Sequence, residues 1–193
     1  MNIILGSQSP RRRELMAGLD IPFTAISIDA DESYPSSLKA GDIPLYISRA
    51  KARAYEGACE DGDILPTADT IVWLEGKVLG KPSSCIDAMN MLRALSGHTH
   101  QVYTGVCILR RQAGQWVEKA AFVDCTDVTF RELTDDEIAY YVDKYQPLDK
   151  AGAYGVQEWI GYVAVTALKG SFYNVMGLPV ERVYEALKQL EEA

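Results

Sequence analysis

The sequence predicts an α/β fold with a mixed β-sheet. Short apolar runs such as "NIILG" are typical of buried strands, and segments with helical periodicity lie between them. Two long β-patterned stretches, "THQVYTGVCILRR" and "WVEKAAFVDCTDVTFREL", are joined by "QAGQ" and predict an inserted hairpin. Because no linker-like change of composition divides the chain, we expect a single domain over residues 1–193. If that domain has two lobes, the cleft between them is the expected place for a ligand.

The first half of the chain predicts two helices and four strands. After the first strand, "SPRRRELMAGL" predicts a helix with Ser9 as its N-cap and Pro10 at its first position. "PFTAISID" predicts a strand, and "IPLYISRAKARAYEGA" predicts a helix capped by Asp42. "ILPTADTIVWLEGKVLGKP" then predicts a strand, a tight turn near Glu75 and Gly76, and a second short strand.

The second half adds helices at both ends of the hairpin. Residues 84–95 predict a helix that Gly97 ends, and residues 135–144 predict another after the hairpin. The glycine-rich segment "QPLDKAGAYGVQEW" predicts an irregular loop. "GYVAVTALKG" then predicts a strand and "LPVERVYEALKQLEE" a terminal helix.

Composition and charge exclude several classes of function. The chain carries 27 acidic against 19 basic residues, a formal net charge of −8, which argues against a nucleic-acid polymer as partner. No apolar run approaches the roughly 20 residues needed to span a bilayer. The N-terminus lacks the basic region of a signal peptide. The four cysteines are scattered without a CxxC pair, which fits a reducing cytoplasm.

Three consecutive arginines, Arg11 to Arg13, open the first predicted helix of this acidic chain. Cations there oppose the helix dipole, so their presence indicates that an anion such as a phosphate completes the site. The alternative is that they project into solvent. Three consecutive helical residues span about 200° of the helix circumference, so at most two can face one ligand. We expect Arg13 to be the surface residue.

Other polar residues stand at positions that favour a site. Asp69 comes before an apolar run, where a carboxylate is either a loop residue, a base or a metal ligand. Lys81 lies between a glycine and a proline that fix its backbone. Gln157 ends the glycine-rich loop and offers a donor and an acceptor to a base edge, although flexible connectors look similar. His98 and His100 have no third ligand nearby, and we expect them to be structural.

The order of these segments resembles a known family. "SQSPRRREL", "DADES", "RAKARA", "ADTIV", "GKP", "SGHTHQVYTGV", "LDKAGAYGVQ" and "GSFYNVMGLPV" together look like the Maf family of nucleoside triphosphate pyrophosphatases, over residues 4–187. The resemblance implies an elongated mixed sheet flanked by helices, with two lobes and a central cleft, related to the inosine triphosphate pyrophosphatases. It also implies cytoplasmic, often dimeric enzymes. These cleave nucleoside triphosphates between the α- and β-phosphates with a divalent cation.

The family's catalytic acid falls on Asp69 in this chain. We expect it to orient or deprotonate water and, with Glu32 as a second ligand, to hold Mg²⁺ or Mn²⁺ together with substrate phosphates. Lys51 and Lys81 are expected to offset charge on the phosphoryl oxygens during displacement. The expected phosphate-binding residues are Ser7, Ser9 and Arg11.

The resemblance also implies a base preference. Arg12, Thr70 and Gln157 match the branch that acts on dTTP and UTP, whereas the 7-methyl-GTP branch carries an aromatic residue and two glutamates there. A neutral pyrimidine suits the donor and acceptor of an amide. Glu158 and Trp159 depart from the glycine that follows this glutamine in many relatives, which weakens the pyrimidine expectation.

Two rival functions remain open from the sequence. One is a pyrophosphatase that removes other, modified nucleotides from the pool. The other is a nucleotide-binding regulator linked to cell division and septum formation, in which hydrolysis is vestigial. Retention of Asp69, Lys51, Lys81 and Gln157 favours a working enzyme, because a regulator can lose its acid and still bind.

Overall fold

Helices and strands alternate along the chain, as the sequence predicts. The structure is a computed structural model and describes residues 2–192. Its elements are β1 (Ile4–Gly6), α1 (Pro10–Ala17), β2 (Thr24–Ile26), α2 (Asp42–Arg53), β3 (Ile64–Leu74), β4 (Lys77–Leu79), α3 (Cys85–Leu95), β5 (Thr99–Gln112), β6 (Gln115–Phe130), α4 (Asp135–Tyr145), α5 (Trp159–Ala164), β7 (Val165–Lys169), α6 (Phe172–Met176) and α7 (Val180–Glu191). A 3₁₀ turn at Ala151–Ala153 lies between α4 and α5.

The strands form one mixed seven-stranded sheet in the order β2-β1-β3-β5-β6-β7, with β4 paired to β3. β1 is parallel to both β2 and β3, whereas the β3–β4 and β6–β7 pairs are antiparallel. Gly6, the last residue of β1, pairs with Thr67 of β3. The segment that leaves β1 therefore starts beside the part of β3 that carries Asp69.

The chain forms two compact units, each with its own packed interior. The first comprises residues 1–69, 104–124 and 177–193 and the second residues 70–103 and 125–176. In the first unit, buried residues of β1, α2, β3 and β5 pack together: Ile4, Ala52, Leu65, Cys107 and Leu109. In the second unit α3 packs on α4, and both bury apolar residues: Leu92, Leu95, Ile138, Tyr141 and Val142.

Side-chain caps explain where three of the seven α-helices in residues 2–192 begin. Ser9 and Ser84 accept hydrogen bonds from backbone N–H groups of α1 and α3, as N-caps do. Thr134 and Glu137 form a reciprocal capping box at the start of α4. The predicted cap of α2 was wrong, because Asp42 is the first helical residue and Gly41 precedes it without a side-chain bond.

The segment after the glycine-rich loop also differs from the sequence prediction. "GYVAVTALKG" was expected to be one strand, but its first part belongs to α5 and only Val165–Lys169 pairs with β6. Trp159 and Ile160 extend the helical pattern upstream, and Ile160 and Ala164 are its buried positions. The short helix α6 was not predicted. No helix in the described part of the chain combines the length and hydropathy that crossing a bilayer requires.

Candidate active site

The segment between β1 and α1 is a compact turn that bonds to itself. Ser7 is buried, and its hydroxyl accepts a hydrogen bond from the Ser9 amide at 3.2 Å. Ser9 in turn accepts from the Arg12 amide at 3.4 Å. Gly6 permits the close approach of its neighbours, since a Cβ there would lie 2.6 Å from Cδ1 of Ile28. The backbone amides of Ser9 and Arg12 are thus already used within the turn.

The three arginines point to different surroundings. The Arg12 Nε donates to the backbone oxygen of Gly177 at 2.7 Å, which fixes the plane of its guanidinium. Arg13 is exposed, as expected, and its Nε donates to the Ser7 carbonyl at 3.3 Å. Arg11 lies near enough to Arg12 for the two charges to repel, and this lowers the pKa of Arg12. The first turn of α1 carries no acidic residue to balance these charges.

Lys51 joins the two predicted metal-binding carboxylates. Its Nζ lies 2.8 Å from Oδ1 of Asp69 and 2.8 Å from Oε1 of Glu32. The side chains of Lys51 and Asp69 are only 14% and 12% exposed, whereas Glu32 is 52% exposed. Because one ammonium contacts both carboxylates, their oxygens are close neighbours. α2 supplies the lysine, β3 the aspartate, and the loop after β2 the glutamate.

Arg12 belongs to the same charged group. Burial is the main influence and lowers the pKa of the Arg12 guanidinium below its usual value, while Asp69 and Glu32 raise it again. The guanidinium stays protonated at any working pH. We call Arg12, Glu32, Lys51 and Asp69 the Lys51 cluster; all four lie in the first unit. Asp69 is in the middle of β3, not ahead of a strand as the sequence predicted.

The Lys51 cluster fits a divalent cation that shares its ligands with a substrate. Among residues 2–192, no group of three or more His, Cys, Asp or Glu side chains could hold a metal ion. Mg²⁺ commonly takes only one or two protein carboxylates and completes its shell with water and phosphate oxygens. Glu32 and Asp69 are the two carboxylates that could hold such an ion.

Two of the expected site residues lie at the start of the second unit. Thr70 follows Asp69 on β3 and is half-buried. Lys81 is exposed, beyond β4, and forms no hydrogen bond or ion pair with any residue from 2 to 192. The carbonyl of Gly80 beside it accepts from the amide of Gly152 at 3.1 Å, so the "GKP" segment is tied to the glycine-rich loop.

The glycine-rich loop, residues 149–158, is ordered by internal contacts; we call it the Gln157 loop. Gly152 adopts a left-handed conformation with φ +66°, and a Cβ there would lie 2.9 Å from Cγ2 of Val72. The Oε1 atom of Gln157 is buried and accepts no hydrogen bond from the described residues. A buried acceptor without a partner is costly, and a ligand donor would satisfy it.

Both histidines form hydrogen bonds within the fold, as expected of structural residues. His100 is fully buried, and its Nε2 bonds the hydroxyl of Tyr154 at 2.7 Å. Burial lowers the pKa of His100 to about 4, so the ring is neutral near pH 7. His98 bonds the Ser96 carbonyl through its Nδ1 at 2.7 Å.

Two further residues support the expected site residues and were missed from the sequence. Gly177 presents the carbonyl that fixes Arg12, and Tyr141 bonds the loop that carries Gln157. Gly177 falls within the quoted "GSFYNVMGLPV" segment, yet no local pattern marks a carbonyl as an arginine acceptor. Tyr141 looks like an ordinary core position of α4, and only its hydroxyl distinguishes it from phenylalanine.

Comparison with known proteins gives a family match for this chain. A family model described as Maf-like protein matches residues 2–190. The chain belongs to the Maf family. That model spans nearly the whole described chain, and all the motifs quoted from the sequence lie within the matched range.

Relatives of this Maf chain carry an activity in their names. A protein of Bacteroides thetaiotaomicron named dTTP/UTP pyrophosphatase is 56% identical over 97% of this chain and 95% of its own length. A protein of Porphyromonas gingivalis with the same name is 53% identical over 99% of this chain and 95% of its own. A HAM1 protein from Coxiella burnetii has the same fold, with a TM-score of 0.53 at 13% identity, covering 98% and 99% of the two chains.

Proposed function

We propose that this protein is a nucleoside triphosphate pyrophosphatase that hydrolyses dTTP and UTP to the monophosphate and pyrophosphate. The observation that carries the proposal is the Lys51 cluster, in which one ammonium contacts two carboxylates beside a half-buried arginine. Relatives at 53–56% identity over almost the full chain bear the name of this activity. Such an enzyme would remove unwanted or modified nucleotides from the pool.

Asp69 is the group best suited to act on the attacking water. Its carboxylate is largely buried, and Lys51 fixes its orientation through a contact to Oδ1. Once a triphosphate is bound, the ammonium of Lys51 and the guanidinium of Arg12 offset negative charge on the phosphoryl oxygens. Charge stabilisation of this kind is the dominant contribution in phosphoryl transfer.

A divalent cation, Mg²⁺ or Mn²⁺, is part of this proposal. Asp69 and Glu32 would hold it, and it would neutralise charge on the bridging phosphate oxygens when bound. Lys51 keeps the two carboxylates adjacent without such an ion and reduces their mutual repulsion. Removal of divalent cations with a chelator is therefore expected to abolish turnover while leaving the fold intact.

Base preference is assigned to Arg12, Thr70 and Gln157, the three positions that match the dTTP/UTP branch. The unpartnered Oε1 of Gln157 supports this role, because the N3–H of thymine or uracil is a donor and cytosine offers an acceptor there.

Ser7, Ser9 and Arg11 are proposed to contact phosphates, and Lys81 to supply a further cation. The exposed ammonium of Lys81 is compatible with that task.

A cytoplasmic location and a homodimeric state belong to the same proposal. All four cysteines are free thiols in the structure, as expected of a protein from a reducing compartment. Sedimentation of the purified protein measures its oligomeric state directly.

An initial-rate panel tests the proposed function. The substrates are dTTP, UTP, CTP, ATP, GTP, ITP and 7-methyl-GTP with Mg²⁺ or Mn²⁺, and pyrophosphate and orthophosphate are measured separately. We expect pyrophosphate release to be fastest for dTTP and UTP. A maximum on another base would contradict the pyrimidine assignment, and tight binding without turnover would favour a regulatory role.

A further inference from the structure

We propose that Glu158 is a positioning residue that sets base selectivity by holding the Gln157 loop against α4. This inference rests on the proposed function, because it assumes that Gln157 contacts the base. Glu158 directly precedes α5 as its N-cap residue. It directly follows Gln157, so any change in its position moves the glutamine backbone as well.

The carboxylate of Glu158 links two buried groups. Its Oε2 accepts a hydrogen bond from the hydroxyl of Tyr141, a side chain of α4 with no exposed surface. Its Oε1 lies 3.2 Å from the Nζ of Lys150, whose other partner is Asp149 at 2.8 Å. The side chain of Lys150 is only 10% exposed, so this charge depends on its two carboxylates.

The same tyrosine holds the loop at a second point. The backbone N–H of Gly155 donates to the Tyr141 hydroxyl at 3.0 Å, while that hydroxyl donates to Glu158. Burial and the neighbouring Glu158 raise the pKa of Tyr141, so the hydroxyl remains a donor over the working pH range. Trp159 adds a third attachment, since its ring packs edge-on against Tyr140 at 4.9 Å.

Three side chains of the loop converge above Gly155. A Cβ on that glycine would lie 3.0 Å from Cδ of Glu158, 3.1 Å from Cε of Lys150 and 3.2 Å from Oε1 of Gln157. The amide oxygen therefore lies beside the Glu158–Lys150 pair and accepts no hydrogen bond within residues 2–192. Because the pair is tied to α4, it restricts where this acceptor can point. A restricted acceptor discriminates between bases better than a mobile one.

The test compares Glu158→Ala and Tyr141→Phe with the wild type. We expect both variants to keep kcat on dTTP within about threefold while KM rises about tenfold. The reason is that the Gln157 side chain loses its fixed orientation while the Lys51 cluster is unchanged. The ratio of kcat/KM for dTTP over CTP should fall by about tenfold or more. The double variant should lose less than the product of the two single losses, because the two residues share the Tyr141–Glu158 hydrogen bond.

Tyr145→Phe is the matched control. Tyr145 lies on the same helix and its ring stacks on Tyr141 at 5.1 Å, so the change removes a hydroxyl and keeps the ring packing. We expect this variant to retain the wild-type substrate ratio. Melting temperatures measured in parallel separate the two roles, since a purely structural role lowers stability without changing the ratio.

Two outcomes overturn the inference and are distinguishable. If the wild type prefers dTTP and UTP but Glu158→Ala and Tyr141→Phe keep that preference, Glu158 has no positioning role and the proposed function stands. If the wild type releases pyrophosphate without a pyrimidine preference, the base assignment of Gln157 fails together with this inference.

Discussion

Lys51 is the residue on which the site most depends. Its ammonium contacts Asp69 and Glu32 at 2.8 Å each, and its side chain is 14% exposed. Removing it leaves two neighbouring carboxylates without their shared cation. In the proposed function Lys51 holds the two carboxylates together and would offset negative charge on the phosphoryl oxygens during turnover.

A neutral replacement of Lys51 is therefore expected to cost catalysis more than stability. We expect Lys51→Met to lower kcat/KM for dTTP on the order of a hundredfold, by comparison with loss of single charge-stabilising donors. Arg53→Met is the control, because it removes an exposed cation from the same helix. Steady-state kinetics of both variants measure the loss in kcat/KM for dTTP. Equal losses in the two would mean that α2 acts through net charge alone.

At the scale of elements, the two hairpins show how local sequence determines a turn. Glu75 and Gly76 join β3 to β4, and Ala113 and Gly114 join β5 to β6, with all four residues at positive φ. Such two-residue turns match the twist of the strands, but alanine pays a steric penalty in this conformation. Glycine or asparagine is favoured there.

Ala113 is exposed, so its substitution changes the turn and little else. We expect Ala113→Asn to raise the free energy of unfolding by about 1 kcal/mol, because asparagine tolerates the left-handed conformation better. For a chain of this size the melting temperature should rise by about 2–4 °C, with unchanged turnover. Thermal unfolding of the variant beside the wild type measures this change in melting temperature. Gly114→Ala should lower the melting temperature, and a rise there would refute the turn assignment.

Elements with strong local signals were predicted well, and those made by tertiary contacts were not. Ser9, Pro10 and Ser84 mark helix starts that the structure confirms. The strand at "GYVAVTALKG" was wrong in its first part, because burial of Ile160 and Ala164 favours α5 over the intrinsic strand preference of its valines. Tertiary packing, which the local sequence does not show, decides between helix and strand for this segment.

The candidate site follows the same rule: residues in recognisable motifs were predicted, and residues that act through tertiary contacts were not. The sequence and its family resemblance named Asp69, Glu32 and Lys51, and the structure brings them into contact. The carbonyl of Gly177 and the hydroxyl of Tyr141 were missed, because their partners are distant in sequence. No local sequence pattern shows that a backbone carbonyl or a core tyrosine will hold a site residue in place.

At the scale of the whole molecule, acid stability should depend on His100. The ring is buried and neutral, with a pKa lowered to about 4, whereas the unfolded chain binds its proton near the ordinary value of 6.5. The unfolded state therefore gains a proton first as the pH falls. Stability from this group is complete above that ordinary value and is lost as the pH falls towards about 4.

Between pH 7 and pH 5 this linkage should lower the free energy of unfolding by about 2 kcal/mol. His100 is the fully buried histidine, and its lowered pKa makes it the expected source of this change. Denaturant unfolding at several pH values between 7 and 5 measures this free energy, for the wild type and for His100→Gln. A variant with the same slope against pH as the wild type would show that another group titrates.

The most direct test of the account is to follow dTTP with Mg²⁺ by ³¹P NMR, for the wild type and for Asp69→Asn. We predict that the wild type forms dTMP and pyrophosphate, with no dTDP at any time. Asp69→Asn should keep its fold and lose about a hundredfold or more in rate, because the group that orients water is gone. Formation of dTDP and orthophosphate, or near-native turnover by Asp69→Asn, would contradict the assignment of the Lys51 cluster as a pyrophosphatase site.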